Sequence, residues 1–141
     1  MSCERRSQSQ SQADTQYRAA FVIPVRTGGG GPHALLVHER RGRLTRLGLL
    51  GGKKEDCDND MPHYTAGREM WEETGGTLSD ATRRRMQHGV GMLGPMWQPR
   101  SHAHVYVLQL DDEADHDLDV RGSAAAAQRT HSGNTQLGLE W

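Results

Sequence analysis

The chain has 141 residues, with 17 Lys and Arg against 18 Asp and Glu, for a formal net charge of -1. That length suits one domain and is short for two, and the balanced charge shows no global basic excess of the kind expected of a nucleic-acid binder. Hydrophobic residues make up 34% and mean hydropathy is -0.80, so part of the chain is expected outside the core.

Residues 1–16 are polar and Ser/Gln-rich, and are expected to form a disordered tail rather than a secretory signal. No apolar run approaches the roughly 18–20 residues of a membrane span. Cys3 lies in the polar tail and Cys57 far from it, so no structural disulfide is expected. The simplest expectation is a soluble protein of a reducing compartment, the cytoplasm, with the nucleus open. A single domain is expected over 17–141, defined only weakly after residue 110.

Ala19 to Val25 reads as a first strand, interrupted by Pro24. Gly28 to Gly31 and Pro32 mark a turn, and Ala34 to Val37 a second strand. Leu47, Leu49 and Leu50 run into Gly51-Gly52 as a third short strand, followed by a polar, acidic loop. A helix is predicted from Met61 or Pro62 to the C-cap pair Gly75-Gly76. A second is predicted over Thr77 to His88, with Ser79 as N-cap. Met96-Trp97 and Ala103 to Leu110 read as strands; Asp111 to Asp119 is acidic and Gly122 to Asn134 a low-complexity loop. Strands and helices intermix, which favours an α/β or α+β domain.

The informative stretch is Gly51-Gly52-Lys53-Lys54-Glu55 followed by Arg68-Glu69-Met70-Trp71-Glu72-Glu73-Thr74-Gly75. At about 100° per residue, Glu69, Glu72 and Glu73 share one helix face, while Ala66, Met70, Trp71 and Thr74 fall toward the other. Like charges at this spacing repel by a few tenths of a kcal/mol per pair. They also crowd the C-terminal half of the helix, where the macrodipole disfavours negative charge. A bound cation reverses both effects, and hard oxygen ligands suit Mg2+ or Mn2+. The glycine turn lets a backbone carbonyl approach such an ion, and Lys53 and Lys54 offer charge to a phosphate. A solvated acidic helix face, with ordinary surface lysines, is the alternative.

At these residues the sequence resembles the Nudix hydrolase family. The family signature is Gly, five residues, Glu, seven residues, Arg-Glu, an apolar residue, any residue, Glu-Glu, any residue, Gly, apolar. Arg68 to Gly75 matches its central half at every position, and Gly51-Gly52-Lys53 is similar to its opening. The first Glu is replaced. Asp58 holds the spacing from Gly52, Asp60 the spacing to Arg68, and the loop between is two residues longer than the pattern. Gly76 stands where an apolar residue is usual.

The resemblance implies an α/β/α sandwich with a mixed sheet. Members often close with a final helix, which this sequence is expected to lack. It implies Mg2+ or Mn2+ held by Glu69, Glu72, Glu73 and the Gly51 carbonyl, with Asp60 taken here as the outer ligand. Arg68 would orient a carboxylate, and Asp111, Asp112 or Glu113 stand where several members supply an extra acid. The implied activity is hydrolysis of a phosphoanhydride bond in a nucleoside diphosphate linked to another moiety. Capped RNA as substrate and a catalytically inactive module that binds a nucleotide or a protein are the alternatives. Trp97, Tyr106 and Tyr17 are candidates to stack a base. Arg40, Arg41, Arg43 and Arg46, with Arg83, Arg84 and Arg85, could hold a long anionic substrate. His102 and His104 are expected on one strand face at period 2.

Overall fold

The computed structural model describes residues 17–26, 31–76, 78–110 and 135–140. The expected tail over 1–16, the acidic run 111–119 with its candidate acids, and the loop 122–134 lie outside them.

Eight strands and two helices follow in the order β1 (Ala19–Arg26), β2 (His33–Ala34), β3 (Leu36–Arg41), β4 (Leu44–Gly48), β5 (Leu50–Lys53), α1 (Pro62–Glu73), α2 (Asp80–Gln87), β6 (Met92–Gln98), β7 (Ala103–Gln109) and β8 (Thr135–Glu140) among the described residues. They form two sheets. The larger runs β2-β1-β7-β6, with β5 also paired to β1; β1 and β7 are parallel and its other pairings antiparallel. The smaller is antiparallel, in the order β4-β3-β8. The class is therefore α/β with a mixed sheet.

Pro24 does not end β1. It falls between the stretch paired to β5 (Ala19 to Val22) and the stretch paired to β2 (Val25 and Arg26), a gap where a missing N–H costs little. The expected second and third strands each divide, at Leu35 and Leu49. The basic run Arg40 to Arg46 does not connect strands as a loop. It is the β3–β4 hairpin itself, closed by Gly42-Arg43, with Arg40, Arg43 and Arg46 exposed.

Helix α1 begins at Pro62, whose missing N–H costs nothing in a first turn. It ends in a Schellman motif: Gly76 N–H donates to Trp71 O (2.9 Å), Gly75 N–H to Glu72 O (3.0 Å), and Gly75 takes φ 63. Ser79 caps α2, its hydroxyl accepting from Thr82 N–H at 3.2 Å. α1 packs on β1 and β5 and against α2. Ala66 and Met70 of α1 join Ala20, Val22, Leu50, Tyr106 and Leu108 of the sheet and Met86 of α2 in one buried cluster. A side chain of that kind stabilises by roughly 1.5–3 kcal/mol when fully buried. This packing fixes α1 over the point where β5 meets β1, and so sets the position of its acidic residues.

Candidate active site

The site begins with two glycines on β5. Gly51 sits at φ 147, and a Cβ there would stand 2.3 Å from Ala20 O and 2.6 Å from Phe21 Cα, so no larger residue fits. A Cβ on Gly52 would lie 2.6 to 2.8 Å from the carboxyl atoms of Glu69. The strand backbone therefore lies directly against a helix carboxylate.

That contact changes the character of the acidic face. Glu69 and Glu73 are 5% and 4% exposed, while the Glu72 side chain is 39% exposed. Two of the three acids point into the protein, on the same side as Ala66 and Met70, so they are not a solvated helix surface. Arg68 Nη1 donates to Glu69 Oε1 at 3.0 Å and to both Glu72 oxygens at 3.3 and 3.4 Å. Gly51 N–H donates to Glu73 Oε1 at 3.2 Å. Burial pushes the Glu73 carboxyl well above the usual range, and the charges of Glu69, Glu39 and Glu72 push the same way against the Gly51 N–H. Among the described residues no group of three or more His, Cys, Asp or Glu side chains is arranged to hold a metal ion as it stands.

Of the two aspartates that the sequence leaves open, Asp58 is the one that reaches Arg68. It is fully buried. Arg68 Nε donates to Asp58 Oδ1 at 2.8 Å and Nη2 to Oδ2 at 3.0 Å, a two-point carboxylate–guanidinium pair. Glu55 N–H (2.9 Å) and the Thr65 hydroxyl (2.8 Å) also donate to Oδ2. Burial alone would raise the Asp58 pKa. The bonds from Arg68, Glu55 N–H and Thr65 outweigh it and hold the carboxyl below its ordinary value. The Arg68 pKa is raised by its bond to Asp58, against its own burial. Arg68 Nη2 also donates to Lys53 O at 2.9 Å, tying the guanidinium to β5.

Asp60 bonds a lysine. Its carboxylate accepts from Lys54 Nζ at 2.8 Å, and Lys54 lies over the Tyr17 ring at 4.9 Å. The expected outer metal ligand and one expected phosphate ligand thus engage each other. Asn59 and Asp60 occupy left-handed backbone at φ 51 and 54. Lys53 is exposed.

The remaining candidates scatter. Tyr17 and Tyr106 are buried at 1% and 6%, whereas Trp97 stands at the sheet edge, 37% exposed. His102 is not on the strand face with His104. It sits at φ 48 in the turn before β7, because its N–H turns back to Pro99 O. Both imidazoles lie against Trp97, at 6.0 and 4.9 Å between ring centres. Arg83 lies over the Trp71 ring at 4.5 Å, and Arg85 donates to Gln109 O at 3.4 Å. Cys57 is an exposed free thiol. Among the described residues no helix is long and apolar enough to cross a membrane.

Two residues at the site escape the sequence reading. Thr65 could have been found one helical turn before Arg68, where a hydroxyl can reach the same carboxylate. Glu39 had no local signal, since it arrives from a distant strand. Tyr17, expected as a base-stacking candidate, instead bonds Thr65.

No family model and no curated protein matches this chain. Among solved structures it is similar to a chain of the T. brucei MERS1–RNA complex, at 16% identity and a TM-score of 0.43. The match covers 86% of this chain and 51% of that one, so this chain spans about half the length of the structure it matches. At that overlap the likeness says nothing about ligand or activity.

Proposed function

We propose that this chain is a Nudix-type hydrolase that cleaves a phosphoanhydride bond in a nucleoside diphosphate linked to another moiety, with Mg2+ or Mn2+. The observation that carries the reading is the packing of Glu69 and Glu73 against the Gly51-Gly52 backbone, with Arg68 joining Glu69 to Glu72. The two extra loop residues are consistent with it. Counted from Gly52, Asp58 stands at the place of the signature's first acid, and it holds Arg68. The surplus then falls on Asn59 and Asp60, the two consecutive left-handed residues, before Met61 N–H closes the turn on Asp58 O at 3.0 Å. The mixed α/β architecture is compatible with the family's sandwich.

The donor set suits a hard divalent cation. Several carboxylates converge on a strand so free of side chains that a Cβ on Gly52 would overlap one of them. Glu69, Glu72, Glu73 and the Gly51 carbonyl would hold it. When bound, such an ion neutralises diphosphate charge and acidifies a water molecule. The chain's own residues do the rest. Arg68, fixed by Asp58, holds Glu69 and Glu72 in place. Lys53 offers charge to a phosphate oxygen. In the overall reaction an oxygen–phosphorus bond forms from water while the bridging anhydride bond breaks, and each product leaves with a phosphate.

The test is hydrolysis of nucleoside triphosphates, nucleotide sugars, dinucleoside polyphosphates and capped RNA with Mg2+ or Mn2+, comparing wild type with Glu72→Gln. Turnover that needs metal and falls on the order of 100-fold in the variant is the expected result. A folded wild type that turns over none of these compounds overturns the reading in favour of an inactive binding module. Turnover confined to capped RNA would name that substrate instead of free nucleotides.

A further inference from the structure

Behind Arg68 stands a relay of hydroxyls that the proposed chemistry does not use directly. Tyr17 Oη and Thr65 Oγ1 are 2.8 Å apart, and Thr65 Oγ1 is 2.8 Å from Asp58 Oδ2. All three residues are buried, at 1%, 0% and 0% exposure. The direction of the relay follows from proton counting. An ionised Asp58 can only accept, so the single Thr65 proton goes to Asp58, and the Tyr17 hydroxyl must donate to Thr65. Both O–H bonds thus run toward the carboxylate that holds Arg68.

Asp58 needs such support because of where it lies. It ends a short 3-10 turn, Asp56–Asp58, and is followed at once by the two left-handed residues Asn59 and Asp60. Its backbone carbonyl accepts from Met61 N–H at the start of α1. Thr65 belongs to α1, and Tyr17 stands at the entry to β1 with His104 of β7 beside its ring at 5.8 Å. The two hydroxyls therefore tie a loop carboxylate to the rigid helix and sheet. A planar guanidinium bonded at two points copies the orientation of its partner. Any tilt of Asp58 would swing Nη1 away from Glu69 and Glu72.

We infer that Thr65 and Tyr17 are positioning residues, which set the orientation of Arg68 through Asp58 and so the arrangement of Glu69 and Glu72; this role in catalysis rests on the hydrolase reading above. Groups that orient ligands from behind commonly matter about 10- to 100-fold in metal affinity.

The experiment measures two quantities on the full chain. One is solvent exchange of the Arg68 Nε–H by NMR with isotope-labelled arginine, its signal assigned by its loss in Arg68→Lys. The other is Mn2+ affinity by calorimetry. In Thr65→Val and Tyr17→Phe, exchange is expected to quicken about tenfold and Mn2+ affinity to fall about tenfold, while Thr65→Ser, which keeps the hydroxyl, stays within about twofold of wild type. The inference is overturned if Tyr17→Phe and Thr65→Val match wild type in both quantities. It is equally overturned if Thr65→Ser is as impaired as Thr65→Val, since packing rather than the hydroxyl would then be responsible. Should Thr65→Val fail to fold, Tyr17→Phe against wild type decides by the same criteria. A wild type that binds no Mn2+ and hydrolyses nothing removes the hydrolase reading, and the Arg68 exchange rates still decide the positioning.

Discussion

Two carboxylates at the site are buried to nearly the same degree, and they respond in opposite ways. Asp58, at 0% exposure, is surrounded by donors from Arg68, Glu55 N–H and Thr65, and its pKa falls. Glu73, at 4% exposure, takes the Gly51 N–H but faces the charges of Glu69, Glu39 and Glu72, and its pKa rises. Burial penalises the charged form in both. The difference lies in what surrounds each: donors offset the penalty at Asp58, and neighbouring acids add to it at Glu73. The N-terminal side of α1 is thus an electrostatically satisfied anchor. The C-terminal side holds acids that repel one another, a repulsion that the proposed cation would offset.

The comparison breaks most severely at the anchor. Asp58→Asn removes the two-point charged partner of Arg68, leaving Glu69 and Glu72, and should cost about 1.5–3 kcal/mol of stability, read from denaturant melts. The pH dependence follows from the lowered pKa: the stabilisation from Asp58 is full above its unfolded value and is lost as pH falls through the folded one. Wild type should therefore lose stability relative to Asp58→Asn in acid, and equal loss across all pH values would show that the pair is not ionic.

At the other end the sign reverses. Glu73 has a raised folded pKa, so the protonated acid is the well-tolerated form, and stability drains away as pH rises through that value. Without metal, Glu73→Gln keeps the shape and an acceptor for Gly51 N–H. It should gain on the order of 1 kcal/mol over wild type at neutral pH, with the gain vanishing below the ordinary glutamate range. Added Mn2+ should raise the melting temperature of wild type and not of the variant. A variant that melts lower than wild type at neutral pH would show that Glu73 is not under electrostatic stress.

The smallest effect belongs to the outer pair. Lys54 and Asp60 are bonded at 2.8 Å with side chains 26% and 55% exposed, so solvent screens them. Lys54→Ala should change stability by less than about 1 kcal/mol. A large loss of turnover in that variant would restore the role in phosphate binding that the sequence suggested for Lys54.

Much of the organisation was legible in advance because it is local. Pro62 at a helix start, the Gly75-Gly76 stop, the Ser79 cap and the apolar stretch of β1 each depend on a few neighbouring residues. The i, i+3, i+4 spacing likewise placed Glu69, Glu72 and Glu73 on one face. That two of them are buried was not legible, since it depends on β5 presenting a bare glycine backbone beneath the helix.

The choice between Asp58 and Asp60 shows the boundary most sharply. By spacing alone each had an equal claim, one counted from Gly52 and the other from Arg68. Spacing along the chain was enough to say that one acid would follow the glycine turn, that three would share a helix face, and that an arginine would stand among them. Which acid binds Arg68 was set by packing: Asp60 bonds Lys54, while Thr65, backed by Tyr17, donates to Asp58. Periodicity places residues around a single helix, whereas a buried hydrogen bond needs donors from separate elements, brought within 3 Å only when helix, strand and loop have packed.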